Sequence, residues 1–270
     1  MNKDRILKFL EGFNSKERRI LEENWQTDNP EVVNDWLGQI YYLRANCRLN
    51  LEPDQKTTEI KKMYFKAARS SQLAWWFNMN LLVSLGRKTN ISSNTTSAHI
   101  FMDYPKFLLS GNAELIKVHY SHVLKVFNDK RENDGTSIVY AFLNLINGNF
   151  EEAKKRVENI ELKVEAGIKP LAMMVKGILM KDLELCNSAI SLNNKIEKKF
   201  TNAYDYYPTS TALAKLGLDF QMNVDIMSPE INKSMLEFQE IEFEDIDNYF
   251  EMLGIEPLNR ISLKNFKSNH

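Results

Sequence analysis

Apolar side chains recur at helical spacing from the first residues onward. Ile6, Leu7, Phe9, Leu10 and Phe13 form one stripe. Trp36, Ile40, Leu43 and Cys47 form a second, after Asp28-Asn29-Pro30, where asparagine and proline suit a helix start. Pro53 breaks the pattern. Residues 59–85 then read as one long helix with Met63, Ala67, Ala74, Phe77 and Leu81 inward, and with Trp75 and Trp76 packed on core or a neighbouring helix. Residues 86–97 are rich in Ser, Thr and Asn, which compete with the backbone for hydrogen bonds. They read as a linker between an N-terminal helical region, 1–85, and a second region, 98–270. One continuous domain is the alternative.

From Ala98 the pattern becomes short helix pairs. Ser110-Gly111-Asn112 and Asn133-Asp134-Gly135 separate successive apolar stretches. Asn147-Gly148-Asn149 and Lys181-Asp182 mark turns inside two units that align at an offset of 33 residues. Leu145 falls on Ile178, Phe150 on Leu183, Ala153 on Cys186 and Val157 on Ile190. The period resembles that of the tetratricopeptide family, a repeat of about 34 residues in paired helices. One helix pair cannot bury its apolar face alone, so such pairs stack. The expected fold is therefore all-α: stacked helical hairpins, tetratricopeptide-like in the C-terminal two-thirds. Only 10 glycines and 7 prolines in 270 residues argue against sandwiches, propellers and glycine-loop nucleotide folds, which need frequent tight turns.

Charge changes this picture locally. The total is balanced, 35 basic against 36 acidic residues, so generic nucleic-acid affinity is not expected. The ends are not balanced. Lys3, Arg5, Lys8, Lys16, Arg18 and Arg19 outnumber Asp4, Glu11 and Glu17 at the start. Between Asp225 and Glu256 lie ten acidic residues and one basic one, Lys233. Phe238, Ile241, Phe243, Ile246, Tyr249 and Phe250 interleave with the acids. This segment reads either as a solvated face or as a docking surface for a basic protein, with apolar anchors among steering charges.

Candidate chemistry is sparse. Two distant cysteines, Cys47 and Cys186, read as buried thiols in a reducing cytosol. The N-terminus has charges running into its apolar positions and no signal-peptide core, and the most apolar stretch, 73–85, is too short to span a bilayer. A cytoplasmic protein with no membrane partner is expected. No G-x-S-x-G, Walker or G-x-G-x-x-G motif occurs. Arg131 stands where a calcium ligand would be needed in Asp129 to Gly135. His119 and His122, at i and i+3, share a helix face and read as structural or solvent-facing. A metal-dependent hydrolase built on them is the enzymatic alternative. No cofactor and no catalytic residue is expected.

The segment Tyr206-Tyr207-Pro208-Thr209-Ser210-Thr211-Ala212-Leu213-Ala214-Lys215-Leu216-Gly217, with Val224-Asp225-Ile226-Met227-Ser228-Pro229, carries a more specific signal. It resembles the C-terminal signature of immunity protein family forty-nine, antitoxins encoded beside bacterial polymorphic toxins. In that family a proline opens a helix with an alanine-leucine-alanine-lysine-leucine core, and a valine-aspartate pair and a serine-proline turn follow. Pro208, Ala212, Leu213, Ala214, Lys215, Leu216, Asp225, Ser228 and Pro229 match these positions. Gly217 and Asn223 depart from them, the family favouring alanine and glycine there. The resemblance covers about two dozen residues and implies a structural role for them. A related all-helical family guarding against nuclease toxins is also similar.

The resemblance implies a cytoplasmic immunity protein, not an enzyme, that binds one cognate toxin domain and occludes its active site. With a basic toxin such as a nuclease, Glu237, Glu240, Glu242, Glu244, Asp245, Asp247 and Glu251 are the expected contact surface. The alternative is a helical-repeat scaffold binding a peptide or protein partner.

Overall fold

Helical spacing in the sequence becomes helix over most of the described chain up to Asp219. The computed structural model describes residues 3–22, 30–52, 57–84, 93–126, 134–158, 160–200 and 205–243. In chain order the helices are α1 (Lys3–Glu22), α2 (Pro30–Leu51), α3 (Thr57–Ser84), α4 (Ser93–Ser110), α5 (Ala113–Val126), α6 (Asp134–Ile146), α7 (Phe150–Val157), α8 (Lys169–Met180), α9 (Leu183–Phe200) and α10 (Pro208–Asp219). A 3-10 turn, Lys233–Met235, follows. No strand occurs among the described residues. The protein is all-α, built of stacked helical hairpins.

Local chemistry explains the helix ends. Asn112 accepts a hydrogen bond from the Leu115 amide at 2.8 Å and caps α5; Asp182 does the same for Leu185 in α9 at 2.9 Å. Gly148, at φ 78°, supplies the left-handed residue that lets α6 turn tightly into α7. At the equivalent turn between α8 and α9, Lys181 takes that conformation at φ 56°.

Consecutive helices pack on one another, most extensively α2 with α3, α8 with α9, α3 with α4 and α6 with α7. Adjacent pairs stack through α6 against α8 and α7 against α8. The 33-residue alignment holds in space as well as in sequence. Leu145 and Ile178 are both buried, as are Ala153 with Cys186 and Val157 with Ile190. Phe150 and Leu183 are both exposed. Equivalent positions thus share an environment, which is what a repeated unit requires.

Close approach fixes the second hairpin. A Cβ on Gly177 would lie 2.6 Å from the Cys186 sulfur, so glycine lets α8 and α9 meet. Both cysteines are buried, free thiols. Burial, helped by Asp182, pushes the Cys186 thiol up to about 11.

One apolar cluster runs from Ala45 and Leu49 in α2 through Phe107, Phe142 and Leu171 to Leu213 in α10 and Met235. Helix α10 packs on α9 and α8 and also reaches back to α4. Asn50 adds a polar tie: its side-chain oxygen accepts from the amides of Asp205 and Tyr206 at 2.7 and 2.8 Å. The chain before α10 is therefore bonded to the N-terminal hairpin.

Several expectations change. Residues 93–97 of the expected linker are helical, the first turn of α4, because Ser and Thr also serve helix starts. Asp134 and Gly135 open α6 instead of separating it from its neighbour. In α1 only Ile6 and Leu10 of the stripe are fully buried; Leu7 and Phe9 are exposed. Trp36 is also exposed, whereas Ile40 and Cys47 below it are buried. The side chains of Trp76, Phe77 and Leu81 lie outside the described residues.

Candidate functional site

The acidic segment begins on a rigid support. After α10, Asp225 accepts the Met227 amide at 2.8 Å, and its own amide donates to Asn187 at 2.8 Å. Asn194 donates to the Ser228 hydroxyl at 3.0 Å, and that hydroxyl donates to Glu230. The Tyr207 amide donates to the Glu230 carbonyl at 2.8 Å. The segment of Asp225, Ser228 and Pro229 is thus laid against α9 and the entry to α10.

Beyond the 3-10 turn, the chain lies along α3. Thr57 donates to Ser234 at 3.1 Å, and the Lys61 ammonium donates to the Glu237 carbonyl at 2.5 Å. Burial lowers the Lys61 amine to about 8, with Lys215 adding to the effect. Thr58 donates to Gln239 at 3.3 Å, and the Phe243 ring stacks on Phe65 at 4.6 Å. These contacts hold the backbone and send side chains to opposite sides. Ile241 and Phe243 are half-buried, whereas Glu237, Glu240 and Glu242 are exposed. Phe238 stands out at 90% exposed. The interleaved aromatics therefore split: Phe243 is an internal anchor and Phe238 is presented to solvent. Glu244, Asp245, Asp247 and Glu251 lie outside the described residues.

The signature helix sets this arrangement. Pro208 occupies the first turn of α10, where its missing N–H costs nothing. The next two free amides, Thr209 and Ser210, both donate to the Glu197 carboxylate, at 3.2 and 3.0 Å. A carboxylate from α9 thus caps α10 and complements its positive dipole end. Burial raises the Glu197 carboxyl, while the bonds from Ser210 and Thr209 pull it back down. Ala212, Leu213, Ala214 and Leu216 are buried, and Lys215 pairs with Asp219 at 2.9 Å on the outer side. Gly217 has a local reason: a Cβ there would lie 2.8 Å from a Val224 methyl.

Two cavities flank α2. One, about 430 Å³, lies between α1 and α2 and is lined by Phe13, Ile20, Trp36, Ile40, Lys16 and Arg19, among others. The other, about 290 Å³, lies over α2 and α3; Tyr41, Arg44, Lys62, Met63, Lys66 and Phe243 are among the residues that line it.

A buried polar cluster escaped the sequence reading. Asp103 on α4 accepts from Lys106 at 2.5 Å and pairs with His99 at 2.7 Å. Lys106, only 1% exposed, also donates to Ser71 at 2.9 Å and lies over the Tyr42 ring. Burial alone would raise the Asp103 carboxyl; His99 and Lys106 overcome this and hold it well below the usual carboxylate range. Trp75 stacks on His99 at 5.0 Å. His119, 1% exposed, stacks on Phe107 at 4.3 Å, and burial holds its imidazole well below the usual range. His122 is half-buried on the same helix. Among the described residues, no three His, Cys, Asp or Glu side chains are grouped so as to hold a metal ion. No described helix is long and apolar enough to cross a membrane.

No family model, curated protein or solved structure matches the chain.

Proposed function

We propose that this chain is an antitoxin, an immunity protein of the family-forty-nine kind, acting in the cytoplasm. It binds one cognate polymorphic-toxin domain and neutralises it by covering the active site, with no chemistry of its own. The observation that carries this reading is Phe238, 90% exposed on a segment whose backbone is bonded to α3. A large aromatic held out from a fixed backbone is what an interface anchor requires. Glu237, Glu240 and Glu242 surround it and supply the charge that steers a basic partner. A nuclease is such a partner, because its nucleic-acid face must be basic.

The test is binding kinetics with the purified toxin domain. Phe238→Ala should speed dissociation by about thirtyfold, the loss of roughly 2 kcal/mol expected at an anchor. Reversing Glu237, Glu240 and Glu242 to lysine should slow association at low salt by about tenfold or more. If neither rate moves, this strip is not the contact surface.

The α1–α2 cavity favours a second reading, a helical-repeat scaffold that takes a peptide there. In that case Trp36→Ala, not Phe238→Ala, weakens binding.

A further inference from the structure

Base and acid are sorted to different sides of α1. Arg5, Lys8, Lys16 and Arg19 stand at i, i+3, i+11 and i+14, so they share one stripe of the helix, and all four are exposed. Gly12 sits in the middle of that stripe, and a Cβ built on it would meet nothing within 4 Å. The stripe therefore faces open space. Glu17 lies off it: it lines the other cavity, over α2 and α3, and pairs with Arg44.

The C-terminal half of the stripe runs along the cavity between α1 and α2. Phe13 and Ile20 of α1 and Trp36 and Ile40 of α2 give this cavity apolar walls, and Lys16 and Arg19 stand beside them. Lys16 forms no ion pair with a described residue. Among the described residues no acid lines the cavity. Asp35, next to Trp36 in the sequence, interacts instead with Lys106, Asp103 and His99. The volume, about 430 Å³, falls in the range of roughly 300–1,000 Å³ that holds small molecules. A ligand that suits both walls and charge has an apolar tail and one anionic head.

We infer that the cavity binds a small anionic amphiphile, of the class of a medium-chain carboxylic acid. The tail lies among Phe13, Ile20, Trp36 and Ile40, and the carboxylate meets Lys16 and Arg19. Burial of the tail supplies the affinity. The two cations are exposed and screened, so they supply the choice of charge more than strength. The site is separate from the strip around Phe238 and does not depend on what binds there. It gives the cavity to a small molecule in place of a peptide.

Titration of the full chain with decanoate, kept below its micelle-forming concentration, tests this through the methyl resonances of Ile20 and Ile40. Those signals should shift to saturation, with a dissociation constant of about 1 mM or tighter for a ligand of this size. Decyltrimethylammonium, the same tail with the opposite charge, should bind about tenfold more weakly at low salt. Lys16→Glu with Arg19→Glu should reverse that order. Both positions are exposed, so the unfolding midpoint should stay within about 2 °C. The contrast between the two probes on the unaltered chain stands even where the variant is destabilised. Unmoved signals at about 10 mM decanoate, or equal affinity for the two probes, overturn the inference. A response to phosphatidylglycerol vesicles without one to monomeric decanoate identifies a membrane surface and overturns it too. So does a response to a glutamate-rich amphipathic peptide alone, which gives the cavity to a peptide.

Discussion

Replacing Asp103 with asparagine should be among the most damaging single changes to stability. The Lys106 ammonium is 1% exposed and has two partners, Asp103 at 2.5 Å and the Ser71 hydroxyl at 2.9 Å. Asp103→Asn preserves shape but removes the ion-paired carboxylate, leaving the cation with the Ser71 hydroxyl, the Tyr42 ring and the more distant charge of Asp35. Breaking a buried pair in this way costs roughly 3–5 kcal/mol, because the stranded charge stays desolvated. At roughly 2–4 °C per kcal/mol, the midpoint of thermal unfolding should fall by about 6–20 °C. Lys106→Met leaves Asp103 its His99 partner at 2.7 Å and should cost less, roughly 1–3 kcal/mol. The double variant should be less damaged than the sum of the singles by about 1–3 kcal/mol, since neither charge is then stranded. Urea unfolding followed by far-UV ellipticity measures each value. A loss below about 1 kcal/mol for Asp103→Asn, or additivity within about 0.5 kcal/mol, would refute the claim that this pair is dry and mutually dependent.

Two further outcomes follow from the same packing. Stability should fall with acid in two stages. His119 is held neutral in the fold, so its contribution is present above about pH 6.5 and is lost as pH falls below that. Asp103 is held ionised, so its contribution is present above about pH 4 and is lost as pH falls further. His119→Phe should flatten the upper stage in urea titrations at a series of pH values, and an unchanged slope would contradict it. Gly217→Ala should cost about 1–3 kcal/mol by forcing a methyl against Val224. Adding Val224→Ala should restore part of that loss in the same assay, and no restoration would place the strain elsewhere.

The hairpins were legible in the sequence because each depends on neighbours in the chain. Asn147-Gly148 and Lys181-Asp182 sit at the observed turns, and the Ala153 and Cys186 positions are buried as equivalent sites. The start of α10 was legible at Pro208, but not its cap, because Glu197 comes from the preceding helix. The polar cluster was harder still. His99, Asp103 and Lys106 stand at i, i+4 and i+7, and ionisable residues on one stripe of an otherwise apolar helix were the available signal. Their meaning depends on Ser71, Trp75 and Tyr42 from other helices, which pattern alone does not bring near. In the acidic segment, sequence supplied the charges and aromatics together; only packing on α3 separates the inward Phe243 from the exposed Phe238.

The central claim is that the chain acts by binding one basic protein through the strip around Phe238. Calorimetric titration of the purified chain with a basic toxin domain, the partner class the proposed function requires, tests this most directly. The account predicts a one-to-one complex with a dissociation constant of about 1 nM or tighter, corresponding to roughly −12 kcal/mol, and a marked weakening with Phe238→Ala. Absence of heat at micromolar concentrations, or full affinity in Phe238→Ala and in the glutamate reversals alike, would contradict it.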